Sequence, residues 1–398
     1  MKYDFNKIIE RKKTDSIKWN FNKNEFNAED ILPMWVADMD FPCPEPVAEA
    51  IKKRAEHTVF GYPIELDSCY EAVIEKVKRD YRWKIEKDWI VFCDGVVGGL
   101  YASVKAFAQK GEEVIIQEPV FHHFRSAIED NNCYVKNNEL SFDGENYTMN
   151  YEDLKNYFHD SKTLMGNHAK MMILSSPHNP VGRVWSKDEL MKLGEICLEN
   201  NCVIISDEIH CDVVFKRSQH TTFASISEEF ANHSVTFIAP GKTFNISGLG
   251  EAVAIIPNKD MRDKFIAARG AVGSGNVFGK VALEAAYIDG EEYLLQLKEY
   301  LEDNLNYFIN HIEKKIPKLK VIRPEGTFLV WVDMRELGLN NHELNEFLVK
   351  EAKVKFNDGA IFGRAGEGFQ RINIGCPRIY IKEALIRLEM ALRNRSLL

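Results

Sequence analysis

Long hydrophobic runs are missing from this 398-residue chain, and with them any segment able to cross a bilayer as a helix. Residues 1–20 carry charges throughout and lack the apolar core of a signal peptide, so a cytoplasmic location is expected. Strong basic clusters are missing as well. The formal net charge of −9 is spread along the chain, which argues against nucleic acid as a partner. The short run Arg11-Lys12-Lys13 reads as a solvated N-terminal face. None of the eight cysteines (43, 69, 93, 133, 197, 202, 211 and 376) forms a C-x-x-C pair. Several sit in apolar runs such as Asn201-Cys202-Val203-Ile204-Ile205, so reduced, buried thiols are expected and neither disulfides nor zinc ligands. Internal repeats and low-complexity segments are also absent.

What is present is enough chain for one large domain and a smaller one. Helical composition over 48–56 leads into the turn signal Phe60-Gly61-Tyr62-Pro63, and a second helix is predicted over about 68–81. Short β-rich runs then alternate with amphipathic stretches: Trp89-Ile90-Val91-Phe92, Val114-Ile115-Ile116, Met171-Met172-Ile173-Leu174, Val203-Ile204-Ile205 and Val235-Thr236-Phe237-Ile238, with a helix over 187–199 among them. Such alternation predicts a mainly parallel α/β sheet covered on both faces. After about residue 288 the pattern changes to a long helix over 291–315, a strand over 326–332 and a final helix over 381–393, as expected of a smaller α+β domain. The boundaries expected are 1–45 for an N-terminal arm packed on the small domain, 46–288 for the large domain and 289–398 for the small one.

Ligands of open α/β sheets bind at the carboxyl ends of the strands, and four polar motifs fall there. Asp94-Gly95-Val96-Val97-Gly98-Gly99-Leu100 offers small residues and first-turn N–H groups to an anion, or is a plain strand–turn–helix connection. In Ser176-Pro177-His178-Asn179-Pro180, two prolines hold Asn179 stiffly, either to present its amide to a ligand oxygen or as part of a rigid turn. In Ser206-Asp207-Glu208-Ile209-His210, a carboxylate follows an apolar strand. It needs a cationic partner, a metal or a capping role to be there. Pro240-Gly241-Lys242-Thr243-Phe244-Asn245 places a lysine where packing alone has little use for one, although a snorkelling surface lysine reads the same way. Taken together they describe a pyridoxal 5′-phosphate site: a cradle for the phosphate, an amide for the ring oxygen, an aspartate for the pyridine nitrogen and a lysine for the Schiff base.

These residues resemble the fold-type I pyridoxal phosphate enzymes, the aspartate aminotransferase superfamily, nearly end to end. More narrowly, the chain is similar to the MalY/PatB-type cystathionine β-lyases, or C–S lyases. Pro33-Met34-Trp35-Val36-Ala37-Asp38-Met39-Asp40-Phe41, Phe60-Gly61-Tyr62-Pro63, Ser206 to His210, Lys242-Thr243-Phe244-Asn245 and Arg371-Ile372-Asn373-Ile374-Gly375-Cys376-Pro377-Arg378 carry that likeness. The resemblance implies a seven-stranded sheet in the cofactor-binding domain. It makes Lys242 the Schiff-base lysine, Asp207 the pyridine partner and Asn179 the contact to the ring oxygen. His210 stands where many aminotransferases have Tyr. Val96 and Val97 would offer backbone N–H groups to the phosphate, Arg378 would grip the substrate carboxylate, and Trp35 would line the entrance or sit in the core. Tyr62 would reach the phosphate of a neighbouring subunit, which implies a homodimer with shared sites. Two positions depart from the pattern: Phe121 replaces a common Tyr, and Gly241 replaces a Ser that contacts the phosphate in many relatives.

The reaction expected is α,β-elimination from cystathionine or another S-substituted cysteine, to a thiol, pyruvate and ammonia. An aminotransferase acting on a small amino acid needs the same groups and is the alternative. A regulatory protein that kept the fold without turnover would have no need of Lys242, Asp207 and Arg378 together. Whether the glycine-rich stretch 270–279 closes over a partner's site is a further expectation of the sequence.

Overall fold

The computed structural model describes residues 2–20, 30–164, 169–271 and 274–398. Its centre is a seven-stranded sheet of β1 (Ile90–Cys93), β2 (Glu113–Ile116), β3 (Tyr134–Asn137), β4 (Met171–Ser175), β5 (Val203–Asp207), β6 (Ser234–Ile238) and β7 (Ala252–Ile255). Its spatial order is β1-β7-β6-β5-β4-β2-β3. Only β7 runs against its neighbours. The sheet is therefore the mainly parallel one expected. Its inner strands are apolar on both faces, with β4 and β6 buried at every position, as a sheet covered by helices on two sides requires. Because β7 alone is reversed, its first residue lies at the same edge as the last residues of β1, β4, β5 and β6. All four sequence motifs emerge at that edge.

Three helices flank β1: α1 (Glu45–Glu56) and α2 (Asp67–Tyr81) precede it, and α3 (Gly95–Phe107) follows it. After α4 (Val277–Asp289) and α5 (Glu291–Lys315) comes an antiparallel sheet of β8 (Lys320–Ile322), β9 (Leu329–Asp333), β10 (Asn357–Asp358) and β11 (Phe369–Asn373), in the order β8-β9-β11-β10. The chain ends in α6 (Arg378–Asn394). One continuous apolar core, including Phe41, Val73, Leu283, Leu301, Phe328 and Leu385, runs beneath both sheets.

The N-terminal segment is a strap between them. Leu32 and Pro33 pair in parallel with Val354 and Lys355, and Phe5 packs edge-on against Phe41 and Tyr293. The basic run at 11–13 is not a uniformly solvated face. Arg11 reaches Asp40 at 2.6 Å and Asp38 at 2.7 Å, and the buried Lys18 meets Asp40 at 2.6 Å. A carboxylate placed by the strap (Asp40) thus draws both cations inward, a pairing that separation along the chain hides. All eight cysteines are free thiols, seven of them buried. Among the described residues no group of acidic, His or Cys side chains could hold a metal, and no helix is long and apolar enough to cross a membrane. Part of the expectation for 270–279 lies outside the described residues, at 272 and 273, as do Met1 and residues 21–29 of the N-terminal arm.

Candidate active site

A cavity of about 200 Å3 opens at the shared strand edge, and its wall includes Gly95, Val96, Val97, Phe121, Asn179, Asp207, His210, Gly241 and Lys242. The sheet register explains the meeting. Ser175 of β4 pairs with Asp207 of β5, and Asp207 pairs with Phe237 of β6. Residues just beyond three adjacent strands therefore face one space. Four turns separated by up to 148 positions in the sequence become neighbours.

Lys242 sits in a single helical turn, Pro240–Thr243, directly after β6. Its Nζ donates to the Ala37 carbonyl at 2.6 Å. Burial, and then the nearby Arg371 cation, lower its pKa to about 8, so a substantial neutral fraction exists near physiological pH. Asp207 is buried, and one oxygen accepts from the Ile209 N–H at 3.1 Å. The capping role is therefore real but uses one oxygen only. No cation lies within ion-pair distance of Asp207 among the described residues, and burial raises its pKa to about 7. A carboxyl so placed gains most from a ligand cation or a protonated ring nitrogen. His210 is buried three residues on, with Nδ1 unpartnered. Burial, Lys242 and Arg371 push its pKa down to about 3, so the ring is neutral.

Helix α3 begins without a side-chain cap on its first-turn N–H groups, and Gly95 holds φ +78. Only a residue without Cβ adopts that conformation readily, and Gly95, Val96 and Val97 all line the cavity. An uncapped helix start of this kind is an anion site. The donor set as a whole fits pyridoxal phosphate: a phosphate at α3, a ring nitrogen at the unpaired Asp207 and a carbonyl at Lys242. Phe121 supplies an aromatic face to the wall.

Not every expected residue is in the wall. Arg378 is the first residue of α6 and lies outside it. Its Nε donates to Asn304 Oδ1 at 2.5 Å, its guanidinium stacks 5.0 Å from the Tyr307 ring, and its N–H donates to the Tyr300 hydroxyl. In this structure the Arg378 side chain belongs to the packing of α6 on α5. Arg371, in β11, is not in the wall either, but its guanidinium touches a wall residue. It donates to Asn179 Oδ1 at 2.9 Å and to the Trp35 carbonyl at 3.1 Å, while its Nε has no partner. No carboxylate pairs with it among the described residues, and burial pushes its pKa down to about 9. The two-residue period of a strand was the available signal, since Arg371 and Asn373 share a face. Asn373 donates to the Val36 and Asp38 carbonyls. Trp35 is half-buried, with its ring nitrogen 3.4 Å from the Lys18 carbonyl, and it stands outside the cavity wall. Tyr62 is fully exposed and contributes nothing to the cavity of its own chain. Ser247 and Glu251, at the entry to β7, line the cavity without having been singled out in the sequence. A larger cavity of about 340 Å3 lies elsewhere, around Lys76 and Asp212, where Lys76 is committed to Asp80 and Asp212 at 2.6 and 2.5 Å.

The aminotransferase class I and II sequence profile matches residues 29–388. The chain belongs to that family. It is 39% identical to cystathionine beta-lyase PatB of Bacillus subtilis over 98% of this chain and 100% of the relative. The structure is similar to that of cystalysin from Treponema denticola, which contains a pyridoxal 5′-phosphate cofactor. The TM-score is 0.94 at 35% identity, covering 99% of this chain and 100% of that one. It is similar also to the PLP-bound C–S lyase of Staphylococcus hominis, with a TM-score of 0.91 at 32% identity over 98% of each chain.

Proposed function

We propose that this protein is a pyridoxal phosphate-dependent C–S β-lyase, acting on cystathionine or a related S-substituted cysteine to release a thiol, pyruvate and ammonia. The observation that carries the reading is the full-length likeness to proteins named cystathionine β-lyase and C–S lyase, on a chain whose own cavity holds an unpaired buried carboxyl and a desolvated lysine. When bound, the cofactor supplies an electron sink for negative charge that develops at the substrate Cα.

The chain's residues do the rest. Arg371, buried without an anionic partner, holds the substrate α-carboxylate, and its planar fork fixes the orientation of the Cα–H bond. Asn179, held by Arg371 through Oδ1 and by the Ser175 hydroxyl through its backbone N–H, places its amide beside the ring. Asp207 would hold a proton on the ring nitrogen. Lys242 would hold the cofactor's carbonyl and, with its amine free, would take the Cα proton, a task suited to an amine whose pKa is near 8. The same ammonium can then deliver a proton to the departing thiolate. Water completes the balance, turning the remaining three-carbon unit into pyruvate and ammonia.

A cytoplasmic homodimer is part of this reading. Val59, Phe60, Tyr62, Ile64 and Leu66 are five large apolar side chains exposed within eight residues, more than a solvated connection needs. In a dimer with shared sites this segment brings Tyr62 to the partner's phosphate. The test is to supply cofactor-loaded protein with cystathionine, cystine and alanine in parallel. Thiol and pyruvate from the sulfur substrates are expected. Pyruvate from alanine only in the presence of a 2-oxo acid, with no thiol from cystathionine, would move the chain to amino transfer.

A further inference from the structure

The phosphate end of the cavity is poor in cations. Among the described residues that line it, Lys242 is the single lysine or arginine, and its Nζ is required at the cofactor's carbonyl. His210 is neutral, for the reasons given above. Glu251, at the start of β7, is buried with both oxygens unbonded, 3.7 Å from Lys280, and burial raises its pKa to about 8. It therefore adds little opposing charge at neutral pH. The phosphate must be held by neutral donors. The uncapped start of α3 supplies backbone N–H groups, but an anion with several acceptor oxygens has room for more.

Two side-chain hydroxyls face the cavity, those of Ser175 and Ser247. Ser175 is spent, because it donates to the Pro177 carbonyl and accepts from the Asn179 N–H. The Ser247 hydroxyl has no hydrogen bond among the described residues, and the residue is exposed to the cavity. It opens the short turn Ser247–Leu249. That turn lies against α3: a Cβ on Gly250 would stand 2.7 Å from Asp94 Oδ1, at the helix start. The hydroxyl also lies against the bare side of Gly241, where a Cβ would sit 3.0 Å from Ser247 Oγ and 3.2 Å from its Cα. The two positions thus share one small gap, which holds a single hydroxyl comfortably and would be crowded by two.

We propose that the Ser247 hydroxyl is a ligand of the cofactor's phosphate, entering from the β7 side through the gap that Gly241 leaves open. The inference rests on the pyridoxal phosphate reading of the site and assigns a new residue to it. A Ser on the other wall, at 241, would serve the same gap provided that Ser247 is removed.

Cofactor-free protein is titrated with pyridoxal phosphate and, separately, with pyridoxal, which lacks the phosphate. Wild type, Ser247→Ala and the exchange variant Gly241→Ser/Ser247→Ala are compared by absorbance and equilibrium dialysis, and thermal midpoints check the fold. Ser247→Ala is expected to weaken pyridoxal phosphate binding by roughly ten-fold or more and to leave pyridoxal binding unchanged. The exchange variant is expected to recover most of the loss. Unchanged pyridoxal phosphate affinity in Ser247→Ala overturns the proposal, as does an equal loss for both ligands or a failure of the exchange variant to recover. A wild type that binds neither ligand defeats the cofactor reading itself. The assay reads binding, so a protein that proves to be an aminotransferase leaves the inference standing.

Discussion

Arg371 and Arg378 lie seven residues apart and share a side-chain chemistry, yet the fold commits them to different tasks. Arg378 is paired with Asn304 and stacked on Tyr307, whereas Arg371 is buried beside Asn179 with no anion to meet it. Arg371→Ala is therefore expected to lower kcat/KM for cystathionine by roughly 10- to 100-fold, the cost of a charged hydrogen bond to the substrate. Arg378→Ala should keep kcat/KM within a few-fold of wild type and lower the thermal midpoint. Steady-state kinetics and melting curves on the same pair separate the two roles. Asp207 yields a pH-dependent expectation. Its folded pKa of about 7 lies above the ordinary carboxyl value, so the cofactor-free folded state binds more protons than the unfolded one between about pH 4 and pH 7. Stability then falls as pH rises through that window. Asp207→Asn should be more stable than wild type without cofactor at pH 7, by on the order of a few kcal/mol, and should lose the advantage near pH 4. The same variant should bind pyridoxal phosphate more weakly, because the ring nitrogen has lost its anionic partner. Urea unfolding across pH and cofactor titration read the two effects.

At the scale of elements, two helix starts make a useful contrast. The helix Lys187–Glu199 has a full capping box made by Ser186 and Glu189, while α3, which faces the cavity, has no side-chain cap and leaves its donors open. Ser186→Ala should cost about 1 kcal/mol of stability with cofactor affinity unchanged. Gly95→Ala should cost a similar amount, because φ +78 strains a residue with a Cβ. It should also weaken pyridoxal phosphate binding by displacing the cradle. Equal losses of affinity in both variants would show that the start of α3 has no special role. The predicted helices over 187–199 and 291–315 match the observed ones end to end, because their apolar stripes are long and periodic. The strands β3 and β7 went unpredicted. Tyr134–Asn137 is exposed at its first residue, lies at the sheet edge and has little apolar signal. Ala252–Ile255 is short and directly follows the Lys242 motif, and its reversed direction depends on pairing with β1 and β6, which no local pattern encodes.

For the whole molecule, the strap at residues 35–40 joins the lysine turn to the small sheet. Ala37 accepts from Lys242, the Met39 N–H donates to Asn245 Oδ1, and the Val36 and Asp38 carbonyls accept from Asn373. Lys242 and the β11 arginine are therefore positioned by one segment. If the sites are shared across a dimer, a chain carrying Lys242→Ala and a chain carrying Tyr62→Ala fail alone but complement when mixed. Random reassortment should restore about a quarter of wild-type activity, since half of the dimers then hold one intact site out of two. No recovery, together with a monomer in sedimentation, would remove the dimer from the reading. The sequence by itself determined the sheet type and the cofactor class, and it marked Lys242 and Asp207 as unusual residues at strand ends, because each is a local signal of strand and turn. The placement of Arg371 beside Asn179 and of Arg378 against α5, the inward pairing of Arg11 and the free hydroxyl of Ser247 were decided only by the tertiary structure. Each depends on which distant side chains share one space, and burial with partner geometry, rather than residue type, sets what a charge or a hydroxyl can do.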